Sequence, residues 1–105
     1  MLMVAADLLE VGGIDNAATI ITEIAEEKGK YLGNIIKDYM LFPHSAVCRL
    51  GWILESIAEQ DGLDELAEIC ARESAPAILS PYDPRTGERN TKWNIIVNRK
   101  VEADI

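Results

Sequence analysis

Apolar side chains recur through residues 45–60, SAVCRLGWILESIAEQ, at helical spacing on one side and densely on the other as well. At about 100° per residue, Ala46, Val47, Leu50, Gly51, Leu54, Ile57 and Ala58 form one continuous apolar side. The opposite side carries Arg49, Glu55, Ser56, Glu59 and Gln60, but also Trp52 and Cys48, with Ile53 at its margin. That is too much apolar area to leave in water. The pattern therefore predicts a central helix covered on both sides, with the flanking segments as two layers around it.

The flanking segments read as four more helices. Residues 2–11 place Leu2, Ala5, Ala6 and Leu9 on one side and stop at Gly12-Gly13, without a capping residue ahead of the first apolar position. Such a start fits a piece of a longer protein. Asp15 has the character of an N-cap for a second helix with Ala17, Ile20, Ile21, Ile24 and Ala25 inward, ending near Lys28-Gly29. Thr19, Thr22, Glu23, Glu26 and Glu27 form its outer, solvated face. Tyr31 to Leu41 is the third helix, with Leu32, Ile35, Ile36 and Tyr39 inward, and Pro43 breaks it before the central one. After an Asp61-Gly62 turn, Leu63, Leu66, Ala67, Ile69 and Cys70 give the core face of the last helix, which Pro76 ends.

Beyond Pro76 the period becomes extended. Residues 77–80 predict a short strand and residues 92–98 a longer one, with Trp93, Ile95 and Val97 on one face. The stretch between them, PYDPRTGERN, is loop chemistry, so the two strands are expected to pair antiparallel. A two-stranded hairpin is marginal alone in water. It is expected to lie on the helices, with Trp93 facing the central helix near Trp52. The expected fold is α+β and mostly helical: about five helices around a central one, with a C-terminal antiparallel hairpin packed on them.

At 105 residues the chain is one domain with room for a modest core. No apolar run approaches a membrane span, and Asp7 interrupts the start where a secretory signal would be basic and then apolar, which together point to the cytoplasm. Charge is uneven: residues 1–84 hold 15 acidic and 5 basic side chains, and residues 85–105 hold 3 acidic and 5 basic, so the net charge changes from −10 to +2. The helical part repels nucleic acid. Only Arg85, Arg89, Lys92, Arg99 and Lys100 offer phosphate contacts, a weak footprint that leaves an accessory nucleic-acid role as the second reading.

Catalytic chemistry finds few candidates. Cys48 and Cys70 are 22 positions apart without a CxxC pair, as buried reduced thiols would be. His44, the one histidine, sits beside the start of the central helix with no second ligand near it in sequence. There is no glycine-rich phosphate loop and no metal-ligand spacing. Neither an enzyme nor a cofactor is expected.

RLGWILE at 49–55, followed by LSPYDPRTGERNTKWNIIVN at 79–98, resembles the C-terminal domain of the AbiEi family, the antitoxin and transcriptional-regulator half of type IV toxin-antitoxin systems. VGGIDNAATIITEIAE at 11–26 resembles the segment ahead of that helix, so the likeness runs from about residue 5 to residue 98. It implies a protein that represses its own operon and counters a nucleotidyltransferase toxin without requiring a stable complex with it. Members usually carry an N-terminal winged helix-turn-helix, which this sequence lacks, so operator binding does not carry over. The partners expected are the family's own DNA-binding half or a second copy of the chain.

The candidate interaction and motif residues are Arg49, Trp52, Glu55, Asp83, Arg85, Gly87, Trp93 and Asn98. Gly51 inside a helix costs about 1 kcal/mol relative to Ala, which suggests another backbone approaching closely there. Arg49 and Glu55 lie about 120° apart on the helix and do not pair with each other. Each is expected to reach the hairpin or its loop, where Asp83, Arg85 and Glu88 are available, with Arg49 as a structural tie rather than a partner contact. Gly87 is expected to supply a positive φ. Trp93, in phase with Ile95 and Val97, belongs to the core.

Overall fold

The computed structural model describes residues 1–8, 12–27, 31–73 and 75–103. The fold is α+β and mostly helical: α1 (Leu2–Ala6), α2 (Ile14–Glu27), α3 (Leu32–Asp38) with a 3-10 turn at Tyr39–Leu41, α4 (His44–Ser56), α5 (Asp64–Ala71), and strands β1 (Ala77–Ile78), β2 (Glu88–Asn90) and β3 (Ile95–Val97). No helix among the described residues is long and apolar enough to cross a membrane.

The central helix is α4. Every residue from Ala46 to Leu54 is buried, because α1, α2, α5, β1 and β3 all pack on it. Its regular hydrogen bonding stops at Ser56, earlier than the periodicity implies, and Ile57 and Ala58 continue half-buried in the turn that follows.

Several local expectations change. α1 is shorter than the apolar pattern: Ala6 is exposed, Leu8 takes a core position, and Leu9 lies outside the described residues. Asp15 belongs to the first turn of α2 and does not cap it, since the helix already begins at Ile14. Thr22, placed on the solvated face by its polarity, is only 1% exposed. Its Oγ1 has no hydrogen-bond partner among the described residues. The expected end of the second helix at Lys28-Gly29 lies outside the described residues.

The sheet corrects the two-stranded hairpin. Its order is β1-β3-β2, with β1 parallel to β3 in the register Ala77↔Ile95 and Ile78↔Ile96. β2 pairs antiparallel with β3, Glu88 opposite Val97 and Asn90 opposite Ile95. The segment read wholly as loop contains β2, and that extra reversal brings β3 back alongside β1 in the same direction. Residues 92–94, expected as strand, form with Thr91 the turn between β2 and β3. Asn90 Oδ1 accepts from the Trp93 amide at 3.0 Å, and Asn94 sits at φ 50°, a left-handed conformation that Asn tolerates better than most residues.

Candidate interaction site

Arg49, Glu55 and Trp93, three of the residues singled out in the sequence, converge where α4 meets the sheet. Arg49, 5% exposed, donates from Nε to the Leu79 carbonyl at 2.8 Å, from Nη1 to the Ala5 carbonyl at 2.8 Å and from Nη2 to the Ile78 carbonyl at 2.9 Å. One guanidinium thus ties α1, α4 and the β1 segment together through three backbone carbonyls. Burial lowers its pKa, yet an arginine starts high enough to stay charged. The expected tie to the hairpin or its loop is made to the first-strand segment, at Ile78 and Leu79, and not to Asp83, Arg85 or Glu88.

Two residues beyond Arg49, an ideal Cβ on Gly51 would lie 2.1 Å from Cζ3 and 2.3 Å from Cε3 of Trp93. The close approach expected at Gly51 is real, but an indole ring makes it and not a backbone. Trp93 is fully buried and meets α4 at Gly51, the neighbour in sequence of Trp52, which is itself 9% exposed. The indole Nε1 donates to Glu55 Oε1 at 3.1 Å, and Lys92 pairs with Oε2 of the same carboxylate while lying 5.7 Å from the indole centroid. Burial alone would raise the Glu55 pKa, but the hydrogen bonds from Lys92 and Trp93 outweigh it and hold the carboxyl below its usual value.

Asn98 closes the other end of the sheet. Its Oδ1 accepts from the Ser80 amide at 2.9 Å, and its Nδ2 donates to the carbonyls of Ser80 at 2.8 Å and Pro84 at 3.0 Å. Asp83 accepts from the Ser80 hydroxyl and from Arg99 Nη1 at 3.3 Å. Gly87 is needed for a reason other than positive φ: a Cβ there would stand 2.2 Å from the Val97 carbonyl oxygen, so β2 reaches β3 only without a side chain at this point.

Asn94 was not singled out and is as central as any of these. It is 3% exposed; its Nδ2 donates to the Glu73 carbonyl at 2.8 Å, and its Oδ1 accepts from Arg89 at 3.0 Å. It pins the β2–β3 turn to the end of α5. A second asparagine four residues after Asn90 in a turn was the available signal. His44 Nε2 donates to the Cys70 carbonyl at 3.1 Å, a structural bond between the start of α4 and the end of α5. The Cys48 and Cys70 thiols are free and buried; their mutual interaction, together with burial, pushes the Cys70 thiol up, and the same interaction draws Cys48 down against the opposing effect of burial.

Two of the five cations of the basic tail are engaged by acids. Arg99 bridges Asp15 at 2.7 Å and Asp83 at 3.3 Å, and Lys92 lies between Glu55 and Asp64. Arg85 and Lys100 are exposed. Two cations held between pairs of carboxylates are poorly placed for phosphate. The surface also carries three shallow hollows that adjoin one another: one beside α1 and α3 bounded by Met1, Met3 and Phe42, a second reaching from Tyr31 to Leu63, and a third at Glu59, Asp61 and Lys92.

These features define a small α+β domain whose motif residues hold it together. Among known proteins, no family model, no curated protein and no solved structure matches the chain.

Proposed function

We propose that this chain is a non-catalytic interaction module, the C-terminal domain of an AbiEi-like antitoxin and transcriptional regulator that counters a nucleotidyltransferase toxin in the cytoplasm. One observation carries the reading. The two segments that bear the resemblance, 49–55 and 79–98, interlock with each other: Arg49 with the Leu79 carbonyl, Gly51 and Glu55 with Trp93. Residue types that match at scattered positions and also meet in space support a shared fold more strongly than the same matches lying apart. Contact with its own DNA-binding half, with a second copy or with a product of the toxin pathway then falls to the outer surfaces. The accessory nucleic-acid reading stands second, because Lys92 and Arg99 face carboxylates.

Co-expression of the chain with the toxin encoded beside it, scored as growth, tests the proposal. Restored growth is expected. A folded, soluble chain that neither restores growth nor associates with any product of the operon refutes it.

A further inference from the structure

Three of the four large apolar side chains exposed among the described residues gather at one place. Met3, Met40 and Leu41 are 70%, 81% and 79% exposed. Met1 and Met3 line an apolar hollow of about 270 Å³ against Ile24, Ile35 and Phe42. Met40 and Leu41 lie in the 3-10 turn between Asp38 and Phe42, which both line it. Met1 and Met3 thus line the hollow itself, and Met40 and Leu41 stand exposed in the turn that adjoins it. The hollow shares Tyr31 and Asn34 with a second of about 490 Å³, which continues over residues 60–63. Those same residues lead into a third of about 430 Å³, where Glu55, Glu59, Asp61 and Asp64 face a single cation, Lys92. Lys92 is held by Glu55 and lies 3.6 Å from Asp64, which leaves Glu59 and Asp61 exposed without it. The result is one groove, apolar and methionine-lined at one end and acidic at the other.

We propose that this groove docks a basic amphipathic helix of a partner protein, with its apolar anchors among Met1, Met3, Met40 and Leu41 and its cationic end over Glu59 and Asp61. Unbranched, polarizable methionines adapt to anchors spaced at i, i+3, i+4 and i+7, the recognition mode of a helix in a groove. Charge selects the occupant. A second copy would bring its own net charge of −8 against the acidic end, whereas Lys or Arg is drawn to it. The inference rests on the reading of the chain as an interaction module and is independent of the toxin it counters.

The test is titration of the isotope-labelled full chain with a synthetic Leu/Lys amphipathic peptide of about 18 residues, long enough for five helical turns, with its lysines concentrated at one end. The control peptide has the same apolar positions with Glu for every Lys. Saturable binding of the Lys peptide, with amide shifts confined to 1–8, 31–42 and 59–64, is expected, and none for the control. Leu41→Asp is expected to weaken binding about tenfold or more, as loss of a central anchor does. Met40→Asp, equally exposed, provides the same measurement should Leu41→Asp disturb folding. Glu59→Gln with Asp61→Asn is expected to weaken binding less and flatten its salt dependence. No binding, equal binding of both peptides, binding unaffected by both anchor variants, or a dimer that buries the groove would each overturn the proposal. Restored growth from a chain that fails to bind the peptide removes the groove and leaves the antitoxin reading standing; peptide binding by a chain that fails to restore growth does the reverse.

Discussion

Gly51→Ala sets two physical effects of known sign against each other. In an exposed helix interior, Ala is favoured over Gly by about 1 kcal/mol. Here the new Cβ would lie 2.1 Å from Trp93 Cζ3, where carbon atoms rest at roughly 3.5–4.0 Å. The indole must retreat by about 1.5 Å to restore that contact. It has nowhere cheap to go, because Trp93 is fully buried and its Nε1 is committed to Glu55 at 3.1 Å. Overpacking of a filled core costs about 1–3 kcal/mol, and a weakened hydrogen bond to a carboxylate adds about 1.5 kcal/mol. After subtracting the propensity gain, the variant is expected to be about 2 kcal/mol less stable, which lowers Tm by roughly 10 °C in a chain of this size. Urea unfolding followed by tryptophan fluorescence and thermal unfolding followed by circular dichroism measure it. In a Trp93→Phe background the outer ring that bears Cε3, Cζ3 and Cη2 is gone, and most of the cost of Gly51→Ala should disappear. A Gly51→Ala chain as stable as the parent would refute the packing argument, and an equal cost in both backgrounds would refute the assignment to the indole.

Arg49→Lys is expected to cost about 2–4 kcal/mol in urea unfolding, because one ammonium cannot replace a fork that serves three buried carbonyls; a loss near zero would mean water satisfies them. Gly87→Ala should detach β2 from β3 and speed amide exchange at Ile95 to Val97 while α4 stays protected, at about 2 kcal/mol; unchanged exchange would contradict the 2.2 Å approach to the Val97 carbonyl. The Arg99 hydrogen bond, followed by the Glu102 amide, holds the Asp15 carboxyl below its usual value, and Glu55 is also lowered. Both groups therefore contribute stability that is complete above the unfolded carboxylate values of about 4 and lost as pH falls through the lower folded values. Asp15→Asn and Glu55→Gln should each flatten the acid limb of a stability-against-pH curve, and a limb unchanged in both would refute the pairing.

The central helix was legible because it is marked twice, by a 3.6-residue apolar period and by Trp52, Cys48 and Ile53 on the face that period leaves polar. The need for space at Gly51 was legible for a similar reason: a glycine in a strongly periodic helix calls for a neighbour. What approaches it was not, because the turn that aims Trp93 depends on Asn90 and Asn94 and on a strand with no apolar alternation. Glu88-Arg89-Asn90 is a polar edge strand, exposed at its first two positions, so its sequence looks like loop. Missing that one reversal also inverted the direction assigned to β1 against β3. Thr22 was misplaced because polarity was taken as exposure, and only the tertiary contacts of α2 decide that a threonine faces inward.

The residues that interlock α4 with the sheet are consumed by folding, and this limits where specificity can reside. With Ala46 to Leu54 buried all round, α4 has no face left for a partner. Arg49, Gly51, Trp93 and Asn94 satisfy one another or the backbone. Substitutions there change stability first and any activity only through it. What remains for recognition is the rim: the 3-10 turn with Met40 and Leu41, the acidic turn at Glu59 and Asp61, and the loop with Tyr82 and Arg85. Changes at those positions should alter partner binding while leaving Tm within a few degrees, since exposed positions rarely cost more than about 0.5 kcal/mol. A variant that lost partner binding and kept its Tm after a change inside the Arg49–Trp93 contact would contradict this division.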